Sequence, residues 1–298
     1  MSIVNTFEAV PSRLLSIYAA VAEVENGVLS EHLASWATPP SLSRRGGEDE
    51  DGGSTNLLKA SLAEARRLGL VEEKDGRLFV PDAARGIGGR NANLEAQLLF
   101  YLRETLFDPE RAASTGQTGV LIALAWFLTK SPLQPVSFSD APQNQLQRDL
   151  GQFAEKAELG NTSSFQNLLY WARFLGFATV VGDAGSRRAF PDPSRAISAV
   201  LDRVLPDNNW VDMDVFLTRL AAIYPVLEGG SVREEVEANR TVPPASDGSL
   251  SVASSLALQR LANRGSISLD VFADAKARIL DFGGSTKRVS RVRRGTAA

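Results

Sequence analysis

The chain has 298 residues, 44% of them apolar and 22% charged, with 32 basic and 35 acidic side chains and a formal net charge of −3. This is an ordinary globular composition, long enough for two or three domains, and its acidic balance argues against coating DNA through bulk positive charge while leaving room for a local basic face. The lack of cysteine excludes disulfides, thiolate nucleophiles, iron–sulfur clusters and cysteine-ligated zinc, and a single histidine, His32, excludes a two-histidine metal site.

Residues 1–13 lack the apolar core of a signal peptide, so a cytoplasmic location is expected. Pro11 and Ser12 open a segment in which Leu14, Leu15, Tyr18, Ala19, Val21 and Ala22 recur at helical spacing up to Gly27. A second short helix follows over 29–36 and ends before Pro39 and Pro40. The polar, glycine-rich run 44–53 reads as a solvated loop. Ser54 or Thr55 can cap a third helix, with Leu58, Leu62, Ala65 and Leu68 on one face and Gly69 as its stop. Residues 70–73 and 77–81 alternate as strands around a Lys74-Asp75-Gly76 turn. Three helices followed by a hairpin is the order of a winged helix-turn-helix.

The order recurs. The stretch Val120 to Leu128 is the longest apolar run. It is far short of the roughly 20 residues a membrane-spanning helix needs, so it reads as a buried core helix. A further helical stretch occupies 143–159, and Asn161 to Ser164 cap a helix carrying Phe165, Leu168, Leu169, Ala172 and Leu175. A strand over 177–181, a turn at 182–185 and a return through Arg187 to Pro191 complete it. Residues 65–70 align with 172–177, and 81–87 with 191–197, the extra length falling in the hairpin turn. A more divergent copy ends the chain. It has helices over 211–227, 232–239 and 250–264, candidate strands at 266–269 and 277–282, a turn at 283–285, and a basic run back over 287–293. The expected fold is therefore mainly α with small β-hairpins, built from tandem winged-helix repeats in domains 1–95, 96–205 and 206–298.

Chemistry in the sequence is sparse. There is no phosphate-binding loop, nucleophile elbow or H-E-x-x-H motif, and Gly86-Ile87-Gly88-Gly89 lacks the spacing of a dinucleotide fingerprint. His32 has no neighbours that complete a triad. Glu72-Glu73-Lys74 holds an E-x-K on an expected hairpin rather than on a central sheet. No catalytic, cofactor or metal site is expected, and no small-molecule substrate.

The third helices and wings are the candidate binding surfaces, because a winged helix can place that helix in the major groove and its hairpin on the backbone. The first repeat offers Asn56, Lys59, Glu64, Arg66 and Arg67 on the helix, with Lys74 and Arg77 on the wing. The second offers Gln166, Asn167, Tyr170 and Arg173, with Arg187 and Arg188 on its wing. The third offers Gln259, Arg260 and Arg264, then Lys287, Arg288, Arg291, Arg293 and Arg294. Asn and Gln can pair with adenine, and Arg with guanine or phosphate. The same charges also suit a solvated face or a protein-docking module.

Three stretches carry a family resemblance: Val10-Pro11-Ser12-Arg13-Leu14, residues 64–72, and Ser254-Leu256-Leu258-Arg260-Leu261 followed by Lys287-Arg288-Val289-Ser290. With them the chain resembles the DpdG family of the bacterial gene cluster that inserts 7-deazaguanine derivatives into DNA and restricts unmodified DNA. The resemblance implies a non-catalytic component of the restriction side, partnered by other defence proteins, and carries over no catalytic residues. Double-stranded DNA is the expected nucleic-acid partner. A winged-helix transcriptional regulator and a pure protein–protein adaptor are the alternatives.

Overall fold

The structure, a computed structural model, describes residues 2–37, 51–85, 93–139, 141–183, 185–241, 248–273 and 275–295, with the backbone alone at 37 and 51–56. The chain is mainly helical with small sheets and separates into two compact units, Met1–Gln117 and Thr118–Ala298. The second unit takes in the expected second domain from residue 118 onward and the whole of the expected third.

In the first unit, α1 (Pro11–Ala22) buries Leu14, Ile17, Tyr18 and Val21, the stripe its periodicity implies. Next come β1 (Val28–Leu29), α2 (Ser30–Ala37), α3 (Asp51–Arg67), β2 (Glu72–Lys74) and β3 (Arg77–Phe79). Helix α3 starts at Asp51, ahead of the Ser54 or Thr55 cap read from sequence, so residues 51–53 are helical rather than loop. The rest of the expected loop, 44–50, and the Gly86–Gly89 run lie outside the described residues. Asp75 and Gly76 both take positive φ, 51° and 72°. That is the geometry of a two-residue turn matched to strand twist. Helices α4 (Leu94–Leu106) and α5 (Pro109–Ser114) finish the unit. Asn93 caps α4 by accepting from the Glu95 and Ala96 amides. Tyr18 donates to the Ala84 carbonyl (2.7 Å), and the Ile3 amide donates to the fully buried Gln117 side chain (2.9 Å).

The second unit opens with α6 (Thr118–Leu128), buried along its whole apolar run as expected. It continues with β4 (Val136–Ser137), α7 (Pro142–Leu150), α8 (Thr162–Leu175), β5 (Ala178–Val181) and β6 (Arg188–Pro191). The Asn161 cap forms as read from sequence: its side chain accepts from the Ser164 amide (2.8 Å) and the Ser164 hydroxyl closes the box. Gly176, at φ 94°, stops the helix in a conformation that favours glycine. Helices α9 (Ser194–Ser198) and α10 (Leu201–Val204) lead into β7 (Val211–Asp212), α11 (Met213–Ile223), α12 (Ser231–Ala238), β8 (Ser249–Leu250) and α13 (Val252–Asn263). Four strands end the chain: β9 (Ile267–Asp270), β10 (Arg278–Asp281), β11 (Thr286–Val289) and β12 (Arg291–Arg294). Helix α12 packs on α6, and the Phe177 and Tyr224 rings meet edge-on at 5.2 Å, so the two halves of this unit share one core.

Three of the sheets share one strand order. The three-stranded sheets run β1-β3-β2, β4-β6-β5 and β7-β12-β9, each with its last strand in the centre. In each the outer first strand is two residues long, too short to carry a period-two signal. Pairing fixes the correspondence of the first two copies. Glu73 faces Leu78 and Val180 faces Ala189, so Arg77, Leu78 and Phe79 correspond to Arg188, Ala189 and Phe190. The two central strands are thus offset by 111 residues (Arg77 to Arg188), one more than the Pro81–Pro191 match suggests. In the third copy the hairpin β10–β11 is inserted in the chain between β9 and β12 and forms its own sheet with β8. The basic run read as one returning strand is therefore two. Fully buried Ser290 divides them: its carbonyl accepts from the Met213 amide, its amide donates to Asp270, and its hydroxyl accepts from the Phe272 amide.

Candidate nucleic-acid interface

Helix α3 presents Lys59, Ala63 and Arg66 to solvent at i, i+4 and i+7. At the matching positions α8 carries half-buried Gln166 and Tyr170 and exposed Arg173. Both copies thus place a cation at the end of the exposed helical stripe and another, Arg77 or Arg188, on the central strand.

The electrostatics of the two copies differ. In the first, Arg66 is paired with Glu73 of the β2–β3 hairpin. Arg67 forks onto Glu64 (2.7 and 3.0 Å), and Lys74 donates to Glu72 (2.6 Å). Arg77 donates to the Gly27 carbonyl (3.2 Å). Glu64 is not on an open face as the sequence suggested. It is buried, and it also accepts from the Thr6 hydroxyl (2.8 Å). The side chain of Asn56 lies outside the described residues. Lys59 is exposed and has no ion-pair partner among the described residues. The E-x-K pair is closed on itself by the Lys74–Glu72 contact.

In the second copy, Gln166 donates to the Phe138 carbonyl (3.0 Å), and Tyr170 accepts from Arg187 (2.9 Å) while its ring sits edge-on to Phe138. These two residues brace the β4-β6-β5 sheet against the helix. Asn167 is buried, only 3% exposed, so it faces the core rather than a groove. Arg173 and Arg188 are exposed and carry no ion pair among the described residues. At the two matched pairs of positions, Arg66 and Arg173 on the helices and Arg77 and Arg188 on the central strands, it is the second copy whose cations carry no ion pair or backbone contact among the described residues.

In the third copy, Arg260 is held by Asp192 of the second copy, and Lys287 reaches Gln259 (3.4 Å). Arg288 is exposed on β11. Arg291 donates to Asp212 (2.9 Å) and lies over the Phe272 ring, 4.6 Å from its centre. Arg293 lies over Trp210 at 4.7 Å. The aromatic partners went unrecognised in the sequence because each lies some 19 residues or more away from its arginine along the chain.

Two buried acidic centres also escaped the sequence reading. Burial pushes the Asp192 carboxyl up, but hydrogen bonds from Ser194 and Thr179 and the nearby Arg260 guanidinium outweigh it and hold the group below the ordinary carboxylate range. Beside it a cavity of about 300 Å³ lies between the β5–β6 hairpin and α13, lined by Thr179, Val181, Phe190, Ala253 and Leu256. Glu228 is likewise pushed up by burial and brought down further by Arg233 and by the Ser251 and Ser254 hydroxyls. It caps α13 from the side. Among the described residues no cluster of three or more His, Cys, Asp or Glu side chains could hold a metal ion, and no helix is long and apolar enough to cross a membrane.

Neither the curated proteins nor the solved structures contain a match to this chain. A family model, described as DpdG-like, matches residues 1–275. That range takes in the first two stretches of the resemblance and the α13 motif, and leaves Lys287 to Ser290, with strands β10 to β12, beyond it. On a match over nine-tenths of its length, the chain belongs to the DpdG-like family.

Proposed function

We propose that the chain is a tandem winged-helix protein that acts without catalysis as the DNA-engaging or scaffolding component of a system that modifies DNA with 7-deazaguanine derivatives and restricts unmodified DNA. The family supports the setting. The repeated strand order, with its central last strand, supports the winged-helix reading. The observation that carries DNA engagement is the pair of unneutralised arginines, Arg173 and Arg188, at the two positions where a winged helix meets a duplex. In the first repeat the equivalent cations are closed by Glu73 and by backbone carbonyls. That repeat is the better candidate for docking other proteins of the system.

The test is duplex binding by the full chain and its variants. Arg173→Ala and Arg188→Ala should each weaken binding several-fold and across all sequences, as expected of phosphate contacts. Arg66→Ala and Arg67→Ala should leave it nearly unchanged. The reverse ranking would move the interface to the first repeat, and no effect from any of the four would favour the adaptor reading.

A further inference from the structure

The outer face of the sheet β7-β12-β9 holds an aromatic–arginine ladder that duplex engagement by the second repeat does not use. In β12, Val292 is fully buried, so Arg291 and Arg293 project from the opposite face. Arg291 covers Phe272, Phe272 meets Trp210 edge-on at 5.3 Å, and Trp210 lies under Arg293. Both rings remain partly open to solvent. The two ends of the ladder differ in charge. Arg291 sits between Asp212 and Asp270, its register partners on either side, and Asp212 accepts its Nε hydrogen at 2.9 Å. Arg293 faces Ser268, a small neutral residue, and has no ion pair among the described residues.

We propose that the Trp210–Arg293 end of this ladder binds single-stranded DNA, stacking an unpaired base on the part of the indole that Arg293 leaves open and holding the adjoining phosphate with the guanidinium. A partly open aromatic ring is of little use to a duplex, whose base faces are covered by their neighbours, whereas ring stacking beside a free cation is the usual means of holding an unpaired strand. A planar guanidinium already resting on a ring keeps its N–H edges for two phosphate oxygens. The acids at the Arg291 end repel phosphate and limit the site to one end of the ladder. Trp210 lies within the family-matched residues and the strand that supplies Arg293 lies beyond them. It rests on the reading that the protein engages DNA and adds a second, strand-selective contact to it.

The experiment compares full-length wild type with Trp210→Ala, Trp210→Phe and Arg293→Ala. Anisotropy is measured on a labelled oligothymidylate and on a matched duplex, with a thermal melt for each protein. Loss of a stacked base should weaken oligothymidylate binding roughly 5- to 100-fold in Trp210→Ala. Trp210→Phe should restore most of it. Arg293→Ala should flatten the single-strand salt dependence by about 0.7 in log–log slope. Duplex binding, made through Arg173 and Arg188, should stay within about twofold throughout. Wild-type oligothymidylate affinity in Trp210→Ala or in Arg293→Ala overturns the proposal. So does a wild type that binds duplex but no single strand, a result that leaves the duplex reading standing. Absence of binding to both overturns the two together. If Trp210→Ala melts early, Trp210→Phe and Arg293→Ala decide.

Discussion

Replacing Arg233 by Met should destabilise the second unit more than any surface substitution in it. The guanidinium is 3% exposed; its Nε donates to Glu237 (2.6 Å) and its Nη2 lies 3.8 Å from Glu228. Methionine fills much of the space but leaves the Glu228 carboxylate buried without its cation. Breaking a buried pair from one side costs about 3–5 kcal/mol. Glu228 keeps the Ser251 amide and the Ser251 and Ser254 hydroxyls, which places the cost near the lower end, about 3 kcal/mol, or a little over a hundredfold in the folding equilibrium. Urea unfolding followed by tryptophan fluorescence reads it, since Trp126 and Trp171 are buried in this unit. With a slope of about 2 kcal/mol/M the midpoint should fall by roughly 1.5 M. The double variant Glu228→Gln/Arg233→Met should recover at least part of the loss, because the amide removes the stranded charge. A shift under about 0.5 M, or no recovery in the double variant, would show that the stranded charge is not what the substitution costs.

The same assay should show Asn161→Ala costing about 1 kcal/mol through loss of the α8 cap. Acid should loosen the second unit first. Asp192 and Glu228 titrate lower in the folded chain than in the unfolded one. The unfolded chain therefore takes up more protons as the pH falls, and their stabilisation, complete above about pH 5, is lost through the ordinary carboxylate range and below it. A midpoint in urea that is flat between neutral and strongly acid pH would contradict this.

Much of the fold was legible because the third helices and hairpins carry strong local signals. The Asn161 cap, Gly176 stop and Asp75-Gly76 turn each need particular residue types. What escaped is what depends on distant pairing. Strands β1 and β4 have two residues each and no periodicity to read. The switch at Ser290 hides inside a run that looks continuous, because only burial against Met213, Asp270 and Phe272 marks it. For the candidate interface, residue type and helical spacing placed Lys59, Arg66 and Arg173 correctly on exposed faces. They could not show that Asn167 turns inward, or that Arg66 and Arg260 are neutralised by acids 7 and 68 positions away. Charge availability, unlike charge count, is a tertiary property.

The most direct test of DNA engagement is the affinity of the purified full chain for duplex DNA across a salt series. With opposing charges nearly balanced over the chain and only a few free arginines at the interface, binding should be modest, and log affinity should fall linearly with log salt at about −0.9 per phosphate contact. Arg188→Ala should flatten the slope by about one contact's worth. Duplex binding that is undetectable at low salt, or a slope that Arg173→Ala and Arg188→Ala together leave untouched, would contradict the account.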